Sequence, residues 1–338
     1  MDNNNFKYAI VFAGQGAQKP GMGKSLYENS NAARAVFDQA GEEIKFDCFE
    51  ADAERLKQTD VTQSAVYTMD MAAFAALMED LGVTEGAFPE PSAVAGFSLG
   101  EYAAFTAAGI IENIETGLEL VKNRSLFMKE AGTNPDGSQR GSMAAGMGSK
   151  EAVLELVEKT REDGILEAVN FNCPQQTVVA GDVIAVERFA KLAKENRNFG
   201  VKAIPLPVSG AFHSPLMRPA SDRMKDALES YSFGTPKYTV YLNETGEPLE
   251  AYGSASDSDI SDMSAKARTI MTQQMQSPVL WQKTIENMRD AGIDLIIEVG
   301  PGKTLTGLTK KIAPELTALH VEDKESLDNV IAFVKKII

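Results

Sequence analysis

Five short, almost wholly apolar runs constrain this chain more than anything else in it. They fall at 8–12 (YAIVF), 92–97, 177–180, 238–242 and 295–299 (LIIEV), with helix-like periodicity between them at 65–81, 99–108 and 115–131. A run that is apolar at every position has no wet face, so it belongs in a sheet covered on both sides. Strands alternating with helices predict an α/β fold on a mostly parallel sheet. The stretch 132–140 (GTNPDGSQR) interrupts this pattern as a loop. Beyond it come a strand at 141–147, a helix at 150–158, strands at 167–170 and 177–180, a helix at 183–196 and a strand at 202–206. That βαββαβ order predicts a small split-βαβ, ferredoxin-like unit at 133–204. It would be inserted into a large α/β-hydrolase-like domain made of 1–132 and 205–338. The polar run 243–267 reads as a surface excursion.

Charge and composition narrow the function. With 33 Lys+Arg against 48 Asp+Glu, the 338-residue chain carries a formal charge of −15, which argues against nucleic acid as a partner. Any acidic partner would need a local basic rim. Two cysteines, Cys48 and Cys173, supply neither a disulfide framework nor a Cys-rich zinc site, and no metal is expected. No run approaches ~18 apolar residues, and the N-terminus lacks a basic leader. The expectation is a cytoplasmic protein with no membrane span.

The chemistry concentrates at Gly96-Phe-Ser98-Leu-Gly100. This G-x-S-x-G follows an apolar strand and opens a helical pattern, the setting of a nucleophile elbow. There the Ser98 hydroxyl is presented to a cleft, and the Leu99 N–H at the helix start can donate to an oxyanion. A serine needs a base, and the chain holds two histidines. His213 lies in a loop-like stretch beyond a strand, whereas His320 lies near the C-terminus at a strand end, so His213 is the candidate. Arg124 is flanked at helical spacing by apolar residues, which turns its guanidinium inward. It then requires a carboxylate, either Glu101 in an internal ion pair or one that arrives with a substrate. Gly14-Gln-Gly-Ala-Gln18 matches neither a phosphate loop nor a dinucleotide fingerprint. It can still aim a backbone N–H, such as that of Gln15, from the strand end.

Seven spaced motifs together resemble the malonyl-CoA:acyl carrier protein transacylases of bacterial fatty-acid synthesis. They are GQGAQ, Thr62-Gln63, GFSLGEYAA, Arg124, Asn170-Phe-Asn-Cys-Pro174, Gly210-Ala-Phe-His-Ser-Pro215 and Glu298-Val-Gly-Pro-Gly-Lys303. The resemblance implies a Ser98 nucleophile, a His213 base, and an oxyanion hole from the N–H groups of Gln15 and Leu99. It further implies that Arg124 binds the free malonyl carboxylate, that Gln63 lines the acyl pocket, and that Asn172 faces the pantetheine arm. A main-chain carbonyl within 277–281, rather than an acid, would hold the histidine. Substrate and partner would be malonyl-CoA and the 4'-phosphopantetheine form of acyl carrier protein. The enzyme would be a monomer needing no cofactor or metal.

Four positions depart from the family pattern: Ala13, Ala17, Phe97 and Leu280. Phe212 would crowd a 2-methyl branch on the acyl group. Lys303, Lys310 and Lys311, or alternatively Arg197 and Lys202, are candidates for a basic docking rim. A serine hydrolase would share the elbow and the histidine, but would place an acid between them in chain order and would give Arg124 no role.

Overall fold

A computed structural model describes residues 6–252 and 262–337. Among the described residues the strands are β1 (Tyr8–Phe12), β2 (Ala93–Gly96), β3 (Gly141–Met147), β4 (Leu166–Cys173), β5 (Gln176–Asp182), β6 (Lys202–Pro205), β7 (Thr239–Tyr241), β8 (Leu295–Val299) and β9 (Thr317–Val321). Five of them form a wholly parallel sheet in the order β7-β2-β1-β8-β9. Every residue of β1, β2 and β8 is buried, as central strands covered on both faces require. Four of the five apolar runs are in this sheet, and the fifth, 177–180, lies in β5 of the other. β9 escaped the sequence pattern because it is an edge strand whose buried positions are not consecutive.

The remaining four strands make an antiparallel sheet in the order β4-β5-β3-β6, the ferredoxin-like arrangement. Helices Lys150–Arg161 and Val183–Glu195 cover it through Val153, Leu156, Val157, Val186 and Phe189. The Ser149 hydroxyl caps the first by accepting the Ala152 N–H. Val279 stitches this sheet to the main body. Its N–H donates to the Val169 carbonyl at 2.8 Å, and its own carbonyl accepts the Phe171 N–H at 2.9 Å.

Helix Thr59–Leu81 begins earlier than its periodicity suggests, because its first turns carry Thr62, Gln63 and Ser64, polar yet buried. Hydrophobic patterning is blind to such residues. The expectation of a surface excursion over 243–267 is corrected at both ends. Asn243 is buried, and Ala267 belongs to the packed face of helix Met263–Gln274. Residues 253–261 lie outside the described part.

The C-terminal ends of β1, β2 and β8 converge on one cleft, where open parallel sheets place their sites. The elbow after β2 is possible only with its glycines. A Cβ on Gly96 would lie 1.9 Å from backbone atoms of Gly100, and one on Gly100 would lie 2.3 Å from the Phe12 carbonyl oxygen. Between them Ser98 is held at φ +53°, a left-handed conformation rare outside glycine. Because the obstructing atoms are backbone, no rotamer change relieves the clash. Gly100→Ala is therefore expected to destabilise the fold by roughly 1–3 kcal/mol or more, measured by urea unfolding, and to misplace Ser98.

Candidate active site

Ser98 and His213 meet at the cleft floor. Ser98 Oγ lies 2.7 Å from His213 Nε2. On the far side of the ring, Nδ1 lies 3.0 Å from the carbonyl oxygens of both Gln274 and Ser277. Carbonyls only accept, so Nδ1 carries the proton and Nε2 is free to accept the serine hydroxyl. The two carbonyls stand where a hydrolase triad has its acid. One of them lies within the expected 277–281 segment and the other just before it. Leu280 does not hold the ring; its N–H donates to the Asn243 carbonyl instead. His213, like Ser98, has a positive φ, +64°. Burial, with the nearby Arg124 charge second, pulls the imidazole pKa down to about 4, so it is a neutral base at pH 7.

Arg124 comes from helix Ile114–Ala131, begun by Asn113, whose side chain accepts the Thr116 N–H. Its guanidinium is 1% exposed and meets only uncharged acceptors. Nη1 donates to Gln63 Oε1 at 2.7 Å, Nε and Nη2 to Gln274 Oε1 at 3.3 and 3.1 Å, and Nη2 to Ser98 Oγ at 3.2 Å. The Tyr102 ring lies beneath it, 5.5 Å from the guanidinium carbon. Of the two possibilities open from sequence, the internal ion pair is not formed. Glu101 Oε1 instead accepts the Asn243 N–H at 2.7 Å. Among the described residues this leaves a buried cation held by amides, with no carboxylate on it, beside the Ser98 hydroxyl.

The cleft has a volume of about 510 Å³. Gln15, Ser98, Arg124, Phe212, His213 and Asn172 line it. The N–H groups of Gln15 and Leu99 have no acceptor among the described residues. Phe97 packs edge-on against Trp281, with ring centroids 5.5 Å apart. Gln63 is placed differently from the expectation. It is fully buried behind the cleft wall, where it holds Arg124 through Oε1 and reaches Gln15 Oε1 through Nε2 at 3.2 Å. The small sheet contributes Asn172 and also Asn170, whose side-chain oxygens are buried without partners among the described residues. His320 lies away on β9, 3.8 Å from Glu322.

Two site residues had gone unread in the sequence. Gln274 touches all three principal groups: its side-chain carbonyl takes Arg124, its side-chain NH2 donates to the Ser98 carbonyl at 2.6 Å, and its main chain holds His213. Nothing in TQQMQSP distinguishes it from its polar neighbours. Asn243 directly follows the 238–242 run, and that position at the C-terminal end of a parallel strand is the signal that could have found it.

Gln63→Leu would leave a buried guanidinium N–H without its acceptor. The expected loss is about 1–3 kcal/mol of stability, measured by chemical denaturation.

Comparison with known proteins accords with this geometry. The family model for the acyl transferase domain matches residues 9–327. The malonyl CoA-acyl carrier protein transacylase of Bacillus subtilis is 36% identical over 337 residues, covering 98% of both chains. The crystal structure of the enzyme of that name from Clostridium perfringens superposes with a TM-score of 0.85 at 34% identity, covering 98% of both chains. A third structure, a type II PKS acyl-carrier protein in complex with its malonyl-transacylase, gives a TM-score of 0.84 at 31% identity. It covers 97% of this chain and 99% of that one. The chain belongs to the malonyl CoA-acyl carrier protein transacylase family of acyl transferases.

Proposed function

We propose that this enzyme moves a malonyl group from malonyl-CoA to the pantetheine thiol of acyl carrier protein through a malonyl-Ser98 ester. The observation that carries the reading is Arg124: buried, without a carboxylate, and 3.2 Å from Ser98 Oγ. A diacid monothioester supplies the missing carboxylate and sets its thioester carbon beside the hydroxyl.

His213 Nε2 takes the Ser98 proton as Oγ attacks the thioester carbonyl, and the oxyanion forms against the N–H groups of Gln15 and Leu99. Collapse expels the CoA thiolate, which receives the proton from His213. The carrier thiol then reverses the sequence: His213 accepts its proton, the sulfur attacks the ester, and Ser98 Oγ regains the proton as it leaves. The bound malonyl carboxylate also neutralises Arg124. That removes one of the two influences holding His213 acidic, just when the ring must bear a charge.

The family's carrier partner enters over the 133–204 unit and the main body, 1–132 with 205–338, with Asn172 facing the pantetheine arm. Lys303, Lys310 and Lys311 on and before helix Thr304–Ile312 form the rim for that acidic partner, since Thr304, Leu305 and Leu308 of the same helix line the cleft. The enzyme works as a cytoplasmic monomer, and the chemistry as written calls for neither metal nor cofactor. Among the described residues no helix is long and apolar enough to cross a membrane, and no group of three or more His, Cys, Asp or Glu is placed to hold a metal.

Incubation with malonyl-CoA and intact mass spectrometry should give a malonyl adduct that Ser98→Ala abolishes. Free malonate without an adduct would defeat the transfer reading. Arg124→Ala should cost ~2–5 kcal/mol in malonyl transfer while leaving Ser98 reactive to acetyl-CoA. Charge reversal at Lys310 and Lys311 should raise the carrier-protein KM and leave malonyl-CoA acylation unchanged.

A further inference from the structure

The strained elbow is fastened from behind by two amides, one of them anchored on an acid. Asn243 Oδ1 accepts the Ser98 N–H at 2.7 Å, and its Nδ2 donates to the Gly96 carbonyl at 2.6 Å. Asn243 thus bridges the two backbone groups flanking the turn that forces Ser98 to positive φ. Its own N–H donates to Glu101 Oε1 at 2.7 Å. From the other side Gln274 Nε2 donates to the Ser98 carbonyl at 2.6 Å, while Gln274 Oε1 receives Arg124. Glu101 is 3% exposed.

We propose that Glu101 is a positioning residue: as a carboxylate it anchors Asn243 through the Asn243 N–H, and through Asn243 it places Ser98. The Asn243 N–H that Glu101 accepts is a charge-assisted hydrogen bond while Glu101 is a carboxylate, and such bonds are roughly twice as strong as neutral ones. Protonation of Glu101 weakens that anchor and slackens the hold of Asn243 on the Ser98 N–H and the Gly96 carbonyl. This inference rests on the reading of Ser98 as nucleophile.

The titration falls where it matters. Burial raises the Glu101 pKa to about 7, opposed by the hydrogen bonds from Asn243 and Gln274. The other titratable groups facing it are Arg124 on helix Ile114–Ala131, Tyr102 on its own helix, Glu244 beyond β7, and Tyr252. Glu244 pushes in the same direction as burial. His213 changes charge at about 4, so a step in activity near neutrality does not belong to it.

The test is single-turnover acylation of Ser98 by malonyl-CoA, quenched and read by intact mass from about pH 5.5 to 8.5. Wild type should rise about tenfold through pH ~7. Glu101→Gln should lack the step and stay near the acid-side rate, with malonyl-CoA half-saturation changed less than about twofold. Thermal unfolding of both proteins checks that the variant is folded. If it is not, Glu101→Asp replaces it: an acceptor-only carboxylate one methylene shorter should keep the step but lower its plateau. A Glu101→Gln enzyme with the wild-type rate and pH profile, or a Glu101→Asp enzyme without the step, overturns the proposal. A wild-type enzyme that acylates at no pH sinks the reading of Ser98 instead, and the Ser98→Ala control separates that case.

Discussion

The closeness of helix Gly100–Ala107 to the end of β1 governs the rest of this site. Backbone approaches backbone at Gly96, Gly100, Phe12 and Ala13 with no room for a methyl group. That approach holds the turn at Ser98 in a conformation a serine does not choose, and aims its hydroxyl outward. The surrounding structure must over-determine such a residue, and it does. The Ser98 N–H and carbonyl are taken by Asn243 and Gln274, and its Oγ by His213 and Arg124. Four elements far apart in sequence thus meet on one residue.

The site achieves its electrostatics with few charges. His213 is oriented by two carbonyl dipoles, and Arg124 is held by amide oxygens. Neutral partners hold both groups in place without satisfying the cation. A carboxylate in either position would already have neutralised Arg124 or raised the basicity of His213. Leaving the guanidinium without a counter-charge keeps it able to take one from a ligand.

Much of this was legible in the sequence, for identifiable reasons. The parallel sheet announced itself through runs apolar on both faces, and the ferredoxin-like unit through its βαββαβ order. Ser98 was readable because glycine spacing encodes a steric requirement, and His213 because only one other histidine competed. What escaped was polar and local. Thr62, Gln63 and Ser64 look like a loop but are the buried start of a long helix, since Gln63 is bonded to Arg124 and Thr62 and Ser64 to the carbonyls of Leu56 and Asp60, none of which hydrophobicity reports. Asn243 and Gln274 are ordinary amides in polar stretches, and only the folded chain reveals how many groups each serves. Glu101 looked like an ion-pair partner for Arg124. In the structure it accepts the Asn243 N–H instead.

Val279, between the two sheets, has a mechanical consequence. The strip from Gln274 to Val279 both supplies the carbonyls that orient His213 and pairs on both sides of its peptide with β4. Rotating the small sheet away from the body would pull on the strip that orients His213. One main-chain strip thus couples the spacing of the two sheets to the orientation of the imidazole.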